Sequence, residues 1–377
     1  IPNRPLAFPF LTYLFHVFLG YHYQNVFVFN FILTFFFLAG AYICARQFTD
    51  IFSSLSAIIL LSAYPLFTIY ATSGGYDLFS TVFFYLSMVI LFQYLKTPSA
   101  AAFAFLWTTL LILANIRYES CIFFFIIVGA ALFVSRRNEL KYYGYVYALT
   151  PLLFLPYIWQ RFLSAGTYEN PQDVPLFAAS HLFEHLSLMF RNFLNLGLSL
   201  PYAGVLNLIT LVGTIWLVSQ ILLRKVVLRK SDYNFWCIYG LCLTLSMVIV
   251  LSHFMGQYDH PAQARLFFYF GIFCALGPIL LKIVYPELIS GKYLLIAAII
   301  IFIFYHPIAV KNEFIDQLRI SRIHKQEQAF LNQLNDPNVL IISAYPDQFS
   351  TQNLGSLSFL YANKYAENLK EEMKADL

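Results

Sequence analysis

LILANIRYESCIFFF, residues 111–125, sets an arginine and a glutamate inside an otherwise apolar run. A charge at the centre of a bilayer costs about 2.5–3.5 kcal/mol on insertion scales, so Arg117 and Glu119 require a partner, water or a ligand. The apolar run before them, 101–116, rises only about 24 Å at about 1.5 Å per residue. A hydrocarbon core is about 30 Å thick, and the run that follows, 118–134, is equally short. The two read as a hairpin whose apex, Asn115-Ile116-Arg117-Tyr118-Glu119, lies at or just beneath one membrane interface. Side chains two positions apart do not meet on a straight helix, but around a tight apex both can point into one cavity. Two readings follow: a structural ion pair, or an anion-binding group facing an open cavity.

The composition places this hairpin in a membrane protein. Soluble domains carry about 25% charged residues, whereas this chain of 377 residues has 11%, with 60% hydrophobic and 19% aromatic. The net charge of +4 is too small and too dispersed to imply a nucleic-acid partner. Cys44, Cys121, Cys237, Cys242 and Cys274 all lie in apolar stretches and form no C-x-x-C pair. They read as small packing residues, with no disulfide framework and no zinc site. The first residue is Ile1 and no cationic leader precedes an apolar core, so the expectation is a chain trimmed at its N-terminus.

Ten apolar runs read as spans, the fourth and fifth being the short hairpin: 24–46, 51–71, 77–95, 101–116, 118–134, 143–163, 203–223, 233–254, 265–285 and 293–310. PLAFPFLTYLFHVFLG, residues 5–20, is short and proline-bearing, and reads as an interfacial helix. With residue 1 outside, the inner connections receive Arg46, Lys96, Arg136, Arg137, Lys141, Arg224, Lys225, Arg229, Lys230, Lys282 and Lys292. The outer ones receive Arg4, Arg117, Arg161, Arg191 and Arg265. That bias orients the chain and returns its C-terminus to the outside.

Two outer segments are long. Residues 164–202 carry His181, His185 and LFEHLSLMFRNFLNLGL, an amphipathic pattern suited to a helix on the membrane surface. Residues 311–377 turn to mixed charge: EFIDQLRISRIHKQEQAFLNQLN reads as a helix, NVLIISAYP as a short strand and LSFLYANKYAENLKEEM as a second helix. The fold expected is therefore an all-α membrane protein of about ten transmembrane helices, residues 1–310, with a small α/β appendage, residues 311–377. NVLIISAYPDQF reads either as part of a folded cap or as a shaper of acceptor access.

Other chemistry gathers at the outer edge. Asn3-Arg4-Pro5 precedes the interfacial helix, and Ser73-Gly74-Gly75-Tyr76-Asp77 opens the run at 77. Asp77 there reads as a helix-terminus carboxylate or as a site residue. Asp259-His260-Pro261 and Arg265 open RLFFYFGIFCALGP, while His181, His185 and Arg191 lie on the long loop. Arginines, carboxylates and histidines beside apolar grooves suit a substrate with a lipid tail and a phosphate head, since the guanidinium fork binds two oxygens at once.

The order of these features resembles the GT-C superfamily of polytopic glycosyltransferases that use lipid-linked sugars, the group of the protein O-mannosyltransferases and lipid A aminoarabinose transferases. NRPLAFPFLTYLFHVFLG is similar to its basic-Pro-Pro-Leu segment, with a single Pro5 after Arg4. FNFILTFFFLAGAYICARQF, LSAYPLFTIYATSGGYDLFSTVFFYL, LILANIRYE and ARLFFYFGIFCALGP follow in the family's order, over roughly residues 2–310. The resemblance implies inverting transfer of a sugar from a polyprenyl phosphate to a glycan, lipid or protein acceptor at the outer face of the plasma membrane. It implies Arg4, Arg265 and Arg117 on the donor phosphate, in that order. Asp77, Glu119, Tyr118, Asp259, His260, His181 and His185 would lie toward the acceptor or behind these groups. The family's catalytic carboxylate lies upstream of the basic-Pro-Pro segment, so the general base is expected before Ile1, with Asp77 a lesser candidate. No cofactor is implied, and a divalent metal is left open. Two alternatives are an O-antigen ligase or polymerase using a diphosphate-linked glycan, and a transporter, against which stands the lack of an internal repeat.

Overall fold

Long apolar runs become helices here, and prolines and capping side chains set where each one stops. The computed structural model describes residues 7–134 except Tyr23, Ser73 and Gly74, then 144–155, 158, 175, 177–193, 204–223, 229–253, 256, 269, 272, 279, 282, 283, 287, 289–308, 326, 329, 340–343 and 355–358. The chain divides into two compact units, Ile1–Glu313 and Phe314–Leu377.

The first unit is helical throughout its described elements: α1 Ala7–Leu19, α2 Asn25–Arg46, α3 Ile51–Ala63, α4 Pro65–Ala71, α5 Asp77–Lys96, α6 Ala100–Ala114, α7 Cys121–Val134, α8 Gly144–Tyr147, α9 Ala179–Phe193, α10 Gly204–Leu222, α11 Lys230–Ser252 and α12 Gly291–Phe304. Among the described residues, four helices are long and apolar enough to cross a membrane: Asn25–Arg46, Asp77–Lys96, Lys230–Ser252 and Gly291–Ile308. Their outer surfaces suit hydrocarbon. Phe31, Phe35 and Phe36 on α2 and Ile296, Ile300, Ile303 and Phe304 on α12 are all exposed, a concentration of apolar surface that water does not favour.

Several expected spans are shorter or broken, each for a local reason. The run 51–71 divides at Pro65, because the residue before a proline is pushed out of the helical region and Tyr64 is extended at φ −72°, ψ 119°. The carbonyl of Ala63 is then met by His306, which donates through Nδ1 at 3.0 Å. The run 143–163 gives α8 and a 3-10 turn at Thr150–Phe154. Pro151 has no N–H to give to Tyr147, and the Thr150 hydroxyl takes that place, donating to Tyr147 O at 2.6 Å. Helices α6 and α7 have 15 and 14 residues, as short as a hairpin requires. The run 265–285 lies largely outside the described residues.

Helix α5 is the centre of the unit. It has 20 residues, about 30 Å at about 1.5 Å per residue, and most of its side chains are buried. Its two ends differ in chemistry. At the Asp77 end, Asn30 of α2 donates to Gly75 O at 2.8 Å and ties down the turn before α5. At the Lys96 end, Lys96 donates to Gln47 Oε1 at 3.2 Å, and Phe48, Phe92, Phe235 and Trp236 pack in tilted and edge-on pairs with centroids 4.8–5.6 Å apart. Between the ends, the hydroxyls of Tyr85 and Tyr239 join α5 to α11 at 2.8 Å.

In the second unit the described elements are two strands, β1 Leu340–Ser343 and β2 Gly355–Ser358, paired in parallel with Ile342 opposite Leu357. The β1 residues lie in the NVLIISAYP segment. Leu357 and Ser358 correct the helix expected from LSFLYANKYAENLKEEM: its first two residues belong to a strand, held by the pairing with β1. The rest of that segment lies outside the described residues, as does the helix expected near 313–335 apart from residues 326 and 329.

Helices α3 and α12 pack closely at the Lys96 end. The Asp50 carboxylate accepts the Ser53 N–H and hydroxyl, each at 3.0 Å, and lies 3.7 Å from Lys282. A Cβ on Gly291 would lie 2.4 Å from Asp50 Oδ1 and 2.9 Å from Ser53 Oγ. Gly291→Ala therefore overpacks the contact, and we expect a loss of about 1–3 kcal/mol, read as a lower thermal midpoint in detergent. Burial pushes the Asp50 carboxyl up, but the Ser53 bonds and Lys282 outweigh it and leave it below its usual value. Its contribution is thus complete above about pH 4 and is lost as pH falls through the lower folded value. Asp50→Asn should flatten that acid-side loss in melting curves recorded from pH 6 to pH 3.

Candidate functional site

The apex of the α6–α7 hairpin is fixed before any charge is considered. Asn115 ends α6 and donates through Nδ2 to Leu111 O at 2.9 Å and Leu152 O at 3.1 Å. The Ser120 N–H closes a 3-10 turn on Arg117 O at 3.1 Å. Ala7, at the start of α1, donates its N–H to Asn115 O at 3.3 Å, and Phe8 packs against Phe29, Tyr76 and Phe79. The first turn of α1 is thereby seated on the apex.

Arg117 points from this turn toward the start of α5. Its Nη1 donates to Asp77 Oδ1 at 3.1 Å, and its Nη2 is paired with Glu119. The Arg117 side chain is 3% exposed, Asp77 5% and Glu119 26%. Burial opposes the guanidinium charge, but Glu119 and Asp77 together outweigh it, and Arg117 is held above its usual range. The Tyr76 ring lies 5.8 Å from the guanidinium carbon, and Tyr269, within electrostatic reach of Arg117 and Glu119, bonds through its hydroxyl to Ser80. Of the two readings of Arg117 and Glu119, the structure contains the ion pair, widened to a triad by Asp77.

A histidine layer lies where α9 meets the end of α11. Ala178 donates to Ser252 O at 3.0 Å and Phe177 bridges to His253, docking the start of α9 on the end of α11. The buried His185 donates through Nδ1 to Leu251 O at 2.9 Å, which satisfies a carbonyl in the last turn of α11. The His181 ring stacks on it, with centroids 5.8 Å apart at 11°. His253 is half-buried. Burial holds it below its usual value, helped by His181 and His185 and opposed by Glu119.

Asp77, Arg117 and Glu119 thus form one cluster, and His181 and His185 stand beside the neighbouring His253. Tyr118 contributes backbone to the turn, and its side chain lies outside the described residues, as do Arg4, Arg265, Asp259 and His260. Arg191 is exposed in the last turn of α9. Among the described residues, no three His, Cys, Asp or Glu side chains are placed to share a metal ion. Sequence reasoning missed His253, Tyr269, Ser80 and Tyr76. His253 had a signal, an imidazole closing an apolar run at the end that carries the other histidines. Tyr269 lay within RLFFYFG, where nothing separated it from neighbouring core aromatics.

Removing one partner of a buried ion pair leaves the others uncompensated, at about 3–5 kcal/mol. We expect Arg117→Met to lose stability on that scale, and Asp77→Asn combined with Arg117→Met to lose less than the sum of the two single changes. Thermal unfolding of the four proteins in the cycle measures that difference.

No family model, curated protein or solved structure matches the chain.

Proposed function

We propose that this protein is a multi-pass plasma-membrane glycosyltransferase of GT-C type, with about ten spans and its C-terminal appendage on the outer side. It moves a sugar, with inversion, from a polyprenyl phosphate to an acceptor at the outer face. The observation that carries the reading is the buried Asp77–Arg117–Glu119 triad at one end of the helical unit, together with a histidine-bearing amphipathic helix docked on the end of α11. The opposite end of α5, about 30 Å away at about 1.5 Å per residue, carries Lys96 and, on neighbouring helices, Arg46 and Lys282. That polarity agrees with basic residues on the inner side.

Charge divides the roles. Two carboxylates already occupy the Arg117 guanidinium, so its part is to hold them, and phosphate falls to Arg4 and Arg265. Two contacts support that assignment. Ala7, three residues after Arg4, bonds to the apex, and Tyr269, four residues after Arg265, bonds through its hydroxyl to Ser80 in the first turn of α5. Cations placed on the departing phosphate stabilise the charge that develops there.

Full-length protein in liposomes, given a polyprenyl-monophosphate-linked sugar and acceptor, should transfer the sugar. Arg4→Ala and Arg265→Ala should each lower the rate by about 100-fold or more with expression and melting unchanged. Wild-type turnover in both variants would overturn their role. Transfer from a diphosphate-linked oligosaccharide alone would replace the reading with a ligase, and solute counterflow without transfer would replace it with a transporter.

A further inference from the structure

A narrow apolar cleft lies toward the Lys96 end of α5, away from the triad. Helices α2 and α11 both pack on α5 but make little contact with one another. In the gap, α2 presents the small side chains of Ala41, Cys44 and Ala45, with Met88 of α5 and Trp236 of α11 lining the same space. Unfilled space of this kind forfeits dispersion contacts on its lining, and water gains no hydrogen bonds from an apolar wall. Hydrocarbon is the filling that suits it.

Two further observations say which hydrocarbon. Trp236 is half-buried, and its indole Nε1 is buried without a hydrogen-bond partner among the described residues. A buried donor calls for an acceptor, and none of the lining side chains supplies one to it. The three helices around the cleft also carry a cation at the same end. Helix α2 closes on Arg46, one residue after Ala45, α5 closes on Lys96, and α11 opens on Lys230, six residues before Trp236. Six residues are about 9 Å at about 1.5 Å per residue, and long cationic side chains reach along such a surface. All three are exposed. Arg46 donates to Thr49 O and Lys96 to Gln47 Oε1, which leaves each with further N–H groups to give. Of the carboxylates at this end, Asp50 is taken by Ser53 and Lys282, and Asp232 accepts the Ser231 hydroxyl at 3.3 Å.

We propose that the cleft binds one anionic diacyl phospholipid, of phosphatidylglycerol type, from the leaflet at the Lys96 end. One acyl chain fills the recess beside Ala41, Cys44 and Ala45. Its ester carbonyl accepts from Trp236 Nε1, and its phosphate meets Arg46, Lys96 and Lys230. Chain, ester and phosphate thus find an apolar recess, a lone donor and a ring of cations in the order in which a phospholipid presents them. Basic pockets between membrane helices favour anionic headgroups in this way. The site goes beyond the transfer reaction and does not depend on it: a donor phosphate at the triad end would lie at the far end of α5.

The test uses purified full-length protein in detergent, titrated with phosphatidylglycerol or phosphatidylcholine of matched chains, with bound lipid counted by native mass spectrometry. We expect one phosphatidylglycerol to be retained with a preference of about 100-fold, about 5-fold for each of three cations. Lys96→Gln combined with Lys230→Gln should lower that preference about 25-fold. Trp236→Phe keeps the aromatic bulk and removes the N–H, so both lipids should weaken alike, about 5-fold, with the preference kept. Cys44→Leu fills the recess and should abolish retention of both. Equal retention of the two lipids by the wild type overturns the proposal, as does unchanged retention in Cys44→Leu. If Cys44→Leu fails to fold, the other variants decide: unchanged affinity in Trp236→Phe and unchanged preference in the lysine variant overturn it. Displacement of phosphatidylglycerol by a polyprenyl phosphate at equal concentration also overturns it and gives the cleft to the donor's tail. Loss of sugar transfer in the wild type bears on the glycosyltransferase reading alone.

Discussion

A guanidinium taken out of water must be surrounded by opposite charge, and in this protein that requirement draws two distant pieces of chain together. Arg117 comes from the α6–α7 turn, Asp77 from the start of α5 and Glu119 from the turn itself. Once Arg117 is buried, the starts of α5 and α7 cannot separate without exposing charge to hydrocarbon. The contacts around it reinforce the same point: Asn30 holds Gly75 just before Asp77, and Ala7 holds Asn115 just before Arg117. The apex is a junction of α1, α2, α5, α6 and α7, held by these uncharged bonds and by one buried charge together.

The histidine layer is held separately, on the end of α11. Helix α9 reaches the end of α11 through His185 and through backbone bonds at Ala178 and Phe177. Its outward side carries Phe183, Glu184, Phe190 and Arg191, all exposed, a mixture suited to the boundary between water and lipid.

Much of this was legible in the sequence where a local rule governs. The shortness of 101–116 and 118–134 disclosed the hairpin, because helical rise and bilayer thickness fix what a span needs. The pattern of LFEHLSLMF disclosed α9 and set His181 and His185 on one side, four residues apart. Pro65 and Pro151 carried signals for the breaks at Tyr64 and after Tyr147, yet apolar length outweighed them in the reading. What no local rule reaches is pairing across distance. Asp77 and Arg117 are 40 positions apart, and nothing near Asp77 distinguishes an end-of-helix carboxylate from a buried counter-ion. The strand at Gly355–Ser358 is similar, because LSFL suits helix and strand alike and β1 decides between them.

The hydroxyl pair of Tyr85 and Tyr239 has a consequence for how the bundle moves. Slid past each other by one turn, about 5.4 Å, α5 and α11 would leave two phenols unmated where solvent cannot replace the lost bond. The pair acts as a key in a slot, marking the level at which α5 and α11 meet and opposing piston-like travel between them.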